Sequence, residues 1–227
     1  MSEIEFTLIR SARKTAAIHI KPNATVEVRA PLKMPEADIN NFIFSKEKWI
    51  KTKLLQAQER FEKKSDFTLS FGDTVLFRGK ACLVVPHTQN RVEYDGEHFV
   101  IPSNFESAQI KQACVQLYKI LAKNVLTEKT VHFANLMKAS PSAVKINSAK
   151  TRWGSCSSKK SLNFSWRLMM ADDETIDYVV VHELAHISEM NHSARFWHIV
   201  ANFLPDYKKR QTRLKSLQKR LVNEDWD

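Results

Sequence analysis

Between Thr175 and Trp197 the chain places three histidines and a glutamate at spacings that suit a metal ion. His182-Glu183-Leu184-Ala185-His186 has the form H-E-x-x-H. On a helix, residues four apart share a face, so the two imidazoles can meet one cation. Glu183, next to the first histidine, can then reach a water held by that cation. Two histidines alone make a weak site, so a third ligand is required. His192 is the leading candidate, because H-x₃-H-x₅-H is the histidine spacing of metzincins. Those proteins place a glycine at the intervening turn, where this chain has Glu189. The turn is therefore expected at Met190-Asn191, with asparagine tolerating the left-handed region. His198 and the carboxylate of Glu189 compete with His192 as third ligand. The chemistry such a set suits is hydrolysis, most directly of a peptide bond. Zinc lowers the pKa of a bound water from 15.7 toward about 7, and Glu183 is positioned to take its proton.

These side chains need a helix beneath them, and the sequence supplies one. Asp172 and Asp173 can cap its start, with Glu174 in the first turn. Ile176, Val179, Val180, Leu184 and Ile187 form an apolar stripe, and neither glycine nor proline interrupts 172–190. A strand is expected from Val144 through Trp153, near the metal. An extended substrate could pair with its edge, with Arg152, Trp153 and Ser155 lining the cleft and Gly154 allowing a close backbone approach. Trp153 and Trp166 read equally well as core residues. Cys156 has no cysteine-hydrolase pattern around it and reads as a small, partly buried thiol.

The rest of the chain alternates between the two periods. Residues 17–20 and 25–29 alternate as strands around a Pro22-Asn23 turn. From Glu36 to Lys64 the pattern is that of one helix, with Trp49 on its apolar stripe and expected in the core. Short β-prone runs at 75–77, 82–85 and 99–101 follow, with Asp95-Gly96 as a two-residue hairpin signal. One long helix is expected from Phe105 to about Met137. The fold class is α+β, with a soft boundary near residue 103 between a β-rich part, 1–103, and a helical part, 104–227.

Composition narrows the function. The chain has 227 residues, a formal charge of +10 and four glycines. None of the glycines lies in G-x-G-x-x-G or G-x-x-x-x-G-K-[ST], which excludes a Rossmann fingerprint and a P-loop. Three cysteines without C-x-x-C suit a reducing compartment. The first residues lack the pattern of a signal peptide, and no apolar run approaches the ~20 residues of a membrane span. A cytoplasmic protein without a membrane partner is expected. Much of the positive charge falls in the last helix, from Lys208 to Arg220. A solvated helix face is the plainer reading, and a nucleic-acid or nucleotide surface is the alternative.

Several segments together resemble the YgjP-like metallopeptidase family, which is related to the SprT and WLM zinc proteases. They are Thr151-Arg152-Trp153-Gly154-Ser155-Cys156, Leu162-Asn163-Phe164-Ser165-Trp166-Arg167, the stretch from Ile176 to His186, Asn191-His192-Ser193 and Phe196-Trp197. Arg10 to Lys14, Val28 to Pro31 and Leu204 to Tyr207 extend the resemblance over nearly the whole chain. It implies zinc held by His182, His186 and His192, a catalytic Glu183, and a compact zincin-like core of active-site helix, small sheet and C-terminal helices. The implied substrate is a peptide or protein. Hydrolysis of nucleotide phosphoanhydrides and a nucleic-acid-associated protease of SprT type are the alternatives.

Overall fold

The structure is a computed structural model and describes residues 4–65 and 67–226. The chain forms two compact units. One runs through Phe67 and takes in Leu221–Asp225; the other comprises Thr68–Arg220 with the last two residues. The division thus falls near residue 67 rather than near 103, and the strands between 74 and 102 belong to the unit that carries the histidines.

The first unit contains β1 (Thr7–Ser11), β2 (Ala17–Ile20), β3 (Val26–Pro31), α1 (Glu36–Ser45) and α2 (Glu47–Ser65). β3 is the centre of its sheet, parallel to β1 and antiparallel to β2. Val26, Val28 and Ala30 alternate inward from β3 and pack with Ile39, Ile43 and Ile50 from the helices. The single helix expected over 36–64 is two. Lys46 leaves helical geometry, and its N–H turns back to the Ile43 carbonyl. The break rotates the stripe, so Trp49 is 45% exposed while Ile50 is fully buried; the core position expected for Trp49 is taken by its neighbour.

The second unit begins with β4 (Thr74–Phe77), β5 (Lys80–His87), β6 (Glu93–Tyr94) and β7 (Phe99–Pro102), ordered β4-β5-β7-β6. The Asp95-Gly96 signal closes a four-residue loop between β6 and β7 rather than a two-residue one. The Asp95 carboxylate accepts the N–H groups of Glu97 and His98 and so fixes it. Next comes α3 (Ser107–Met137), as expected, with a reciprocal capping box between Glu106 and Gln109. A second sheet follows, of β8 (Ala143–Asn147), β9 (Gly154–Cys156) and β10 (Ser161–Ser165), ordered β8-β10-β9. β8 ends at Asn147, so residues 148–153 are a loop rather than the continuous strand expected to Trp153.

A 3₁₀ turn (Trp166–Met170) leads into α4 (Asp173–Ala185), and α5 (Ala194–Phe203) and α6 (Tyr207–Leu221) close the unit. Phe77, Phe99, Tyr118 and Trp166 form a chain of ring contacts between sheet, α3 and the 3₁₀ turn. Trp166 is buried, which settles its two readings in favour of the core. The α+β class expected from the sequence is observed, with an active-site helix, a small sheet and C-terminal helices in one unit. Among the described residues no helix is long and apolar enough to cross a membrane.

Candidate metal centre

The start of α4 is anchored more heavily than a surface helix requires. Asp172 is its N-cap; the carboxylate accepts the Thr175 N–H and the Thr175 hydroxyl, each at 2.9 Å. Arg78 reaches it from the β4–β5 turn and grips the Asp173 carboxylate with two nitrogens, at 2.8 and 2.7 Å. Gly79 lies in the left-handed region at φ +78°, and a Cβ there would stand 2.9 Å from the Asp172 Cβ. The turn can press on the cap only because residue 79 is glycine. Lys129 of α3 bonds Asp177 at 2.6 Å, while Arg213 of α6 reaches Glu174 and Asp172. Some of the basic charge of the last helix is therefore spent inside the unit.

α4 presents His182 and Glu183 in its last turn, and His186 follows as its C-cap. The helix ends there rather than continuing to 190. The N–H groups of Ile187, Ser188 and Glu189 fold back onto the carbonyls of Leu184 and Ala185. Among the described residues only Ala24, Arg78, Lys138 and Lys160 are non-glycines with positive φ. Asn191 is not left-handed, so the turn expected to need that conformation is made without it, which is why Glu189 can stand where a metzincin has glycine. Ser193 caps α5 by accepting the Phe196 N–H, and this holds His192 at the end of the turn.

His182, His186 and His192 come together, with one ligand nitrogen from each within 4.8 Å of the others. The Nε2 atoms of His182 and His192 are 3.0 Å apart. Three nitrogens at 2.0–2.1 Å from a tetrahedral zinc would be about 3.3 Å from one another, so the spacing suits one ion. His186 directs Nδ1 at the Glu189 carbonyl, 3.1 Å away. Donating a proton there leaves the lone pair on Nε2 for a metal. Burial and the neighbouring imidazoles push the pKa of His182 down to about 3, and burial also lowers His186. Both are neutral at pH 7, the form in which imidazole binds a cation. The donor set fits zinc. His198 is exposed and is not in the group; Glu189 contributes its backbone carbonyl.

Glu183 is 5% exposed, and burial raises its pKa to about 8. Gly154 of β9 packs directly on it. A Cβ built there would lie 2.6 Å from Glu183 Oε1 and 2.7 Å from its Cγ. The close approach expected of Gly154 is thus to the carboxylate that follows His182. The loop before it is pinned: the Ser165 hydroxyl bonds the Ala149 carbonyl, the Ser165 N–H the Trp153 carbonyl, and Arg167 the Ser148 carbonyl. Trp153 is half-buried and lines a cavity beside His182 and Glu183. Arg152 is exposed and Ser155 half-buried; neither contributes to the wall of that cavity. Cys156 is half-buried, and burial together with the Glu183 charge raises its thiol pKa.

Two further groups were visible in the sequence only as letters of a signature. Phe196 is fully buried, and its ring centre lies 4.9, 4.5 and 4.7 Å from those of His182, His186 and His192. It is the apolar floor on which all three imidazoles rest. Trp197 stacks between His192 and Tyr207. The 3.6-residue repeat puts Phe196 on the inner face of α5, but only the tertiary fold brings that face beneath the histidines.

Three histidines brought together from a helix end and the turn after it, with a buried glutamate beside the first, form the arrangement of a metal-dependent hydrolase. Residues 14–217 match the YgjP-like metallopeptidase domain, and the chain belongs to that family. No match was found among curated proteins. Among solved structures the chain is similar to the metallopeptidase zymogen abylysin of Pyrococcus abyssi, at 21% identity and a TM-score of 0.38, over 40% of this chain and 92% of that one. It is also similar to the metallopeptidase zymogen jannalysin of Methanocaldococcus jannaschii, at 24% identity and a TM-score of 0.36, over 41% of this chain and 95% of that one.

Proposed function

We propose that the chain is a zinc-dependent peptidase in which His182, His186 and His192 hold the metal and Glu183 is the general base. The observation that carries this reading is the meeting of three imidazole nitrogens within 4.8 Å beside a buried carboxylate. Zinc bound there would polarise the scissile carbonyl and acidify a water. Glu183 takes a proton at its carboxylate and returns it to the leaving amine. Its raised pKa, about 8 from burial alone, makes it a ready proton carrier; a dication nearby would draw the value down and keep the base ionised at neutral pH. Gly154, having no Cβ, leaves the space that the Glu183 carboxylate occupies. Phe196 excludes water from the underside of the imidazoles.

β9 is an edge strand of its sheet, so an extended peptide could add alongside it, with Trp153 against the substrate. Arg152 and Ser155 remain proposed contacts for a longer peptide. A reducing, cytoplasmic setting is supported by the free thiols of Cys82, Cys114 and Cys156. The region after 103 is proposed as the catalytic part, with the β4–β7 sheet as the support for its helix start. The decisive variant is Glu183→Gln. It should retain one zinc per chain and lose turnover of a peptide library by at least ~10²-fold. A panel of nucleoside triphosphates with the same variant as control tests the competing phosphoanhydride reading. Glu183-dependent release of phosphate or pyrophosphate without peptide cleavage would replace the peptidase assignment.

A further inference from the structure

A cavity of about 290 Å³ opens beside the candidate centre, with His182 and Glu183 in its wall. This is at the small end of ligand pockets and suits a single residue rather than a long segment. One side is α6, which contributes Gln211, Leu214, Lys215 and Gln218. Their spacing of three, four and seven places them on one helix face. Tyr178, one turn before His182, is also part of the wall. Gln218 donates to the Lys150 carbonyl at 3.3 Å, tying α6 to the loop that presents Trp153. The pocket is thus built from the elements that hold the centre, all within the second unit.

Apart from Glu183 and His182, Lys215 is the basic or acidic residue of the wall. Two other cations of α6 are paired: Arg210 with Asp206 at 2.9 Å, and Arg213 with Glu174 at 2.5 Å. Among the described residues Lys215 has no carboxylate partner. An exposed ammonium beside a pocket of apolar and amide groups is a receptor for one anionic group, held between amide donors and the cation.

We infer that this cavity is a specificity pocket for the substrate residue next to the scissile bond, and that Lys215 makes it select a carboxylate there. The carboxylate can be the free C-terminus of a peptide or the side chain of an aspartate or glutamate. This inference rests on the peptidase reading.

The test uses the zinc-loaded full chain and matched peptides in two arms. One arm compares glutamate with glutamine after the scissile bond; the other compares a free C-terminus with its amide. The wild type should favour the carboxylate by about tenfold in kcat/KM in one arm or the other, and the arm that responds identifies its source. In Lys215→Gln the preference should vanish. In Lys215→Glu the responding arm should invert, so that glutamine is cleaved better than glutamate there, or the amide better than the free C-terminus. A mere loss of structure would lower all rates together and would not invert a preference. Cleavage of every peptide at equal rates, or a preference that survives in Lys215→Glu, overturns the pocket assignment while leaving the peptidase reading intact. No cleavage of any peptide by the wild type overturns both.

Discussion

Gly154→Ala is the smallest change that reaches Glu183 without touching the histidines. The added Cβ would stand 2.6 Å from Oε1, 2.7 Å from Cγ and 2.8 Å from Cδ, whereas ordinary contact begins at 3.4 Å. The carboxylate must therefore move by about 0.8 Å, the difference between 3.4 and 2.6 Å. Glu183 is buried between helix and strand, so the movement has a cost. Overpacking of this size destabilises by about 1–3 kcal/mol. A displacement near 1 Å in a positioned group lowers rate by about 10²-fold, or about 3 kcal/mol of barrier. Zinc content should not change, because the three close atoms all belong to Glu183. Gly154 does not occupy the left-handed region, so alanine is not strained there in itself. Denaturant unfolding of the metal-free protein separates the two effects. In a Glu183→Ala background the clashing atoms are gone, and Gly154→Ala should become neutral or slightly stabilising. An equal destabilisation in both backgrounds, or full peptide turnover by zinc-loaded Gly154→Ala, would refute the contact as the reason for the glycine.

The pH dependence of the metal-free protein carries a second signature. His182 falls from 6.5 to about 3 on folding, so its contribution is present above pH 6.5 and is lost on acidification toward 3. Glu183 rises from 4.5 to about 8, so its contribution is present below pH 4.5 and is lost as pH rises toward 8. Each slope is about 1.4 kcal/mol per pH unit. Glu183 should therefore offset part of the histidine effect between 4.5 and 6.5, where His186, also lowered by burial, adds to His182; stability falls toward acid and toward alkali, and Glu183→Gln should remove the alkaline fall in a denaturant titration. A fall that persists in that variant would show that another group titrates. Asp172→Ala removes the cap of α4 and should cost about 1 kcal/mol in thermal unfolding, while Asp172→Asn retains most of it. An unchanged midpoint in Asp172→Ala would mean that Arg78 and Lys129 alone hold the helix start.

The parts legible in the sequence are those set by local rules. The H-E-x-x-H helix and its Asp172 cap follow from spacing and from side-chain hydrogen bonding. The long α3 follows from the helical pattern after Phe105. Spacing favours His192, yet what brings it to His182 is a turn that needs no left-handed residue, and no local rule specifies that turn. The break at Lys46 was hidden because the apolar stripe continues across it. Trp153 is part of the cavity wall, whereas Arg152 and Ser155, its neighbours, are not. Strand periodicity cannot resolve such a difference once the strand itself ends at Asn147. The contact of Gly154 with Glu183 joins residues far apart in the chain, as does the support of the imidazoles by Phe196. These arise only when the sheet, α4 and α5 pack together.

In the proposed function His192 completes a three-histidine zinc site. Metal analysis of the purified wild type beside His192→Ala and His198→Ala tests it most directly. One zinc per chain is expected in the wild type and in His198→Ala, with metal lost from His192→Ala. Zinc retained at full stoichiometry without His192, or lost without His198, would contradict the ligand set.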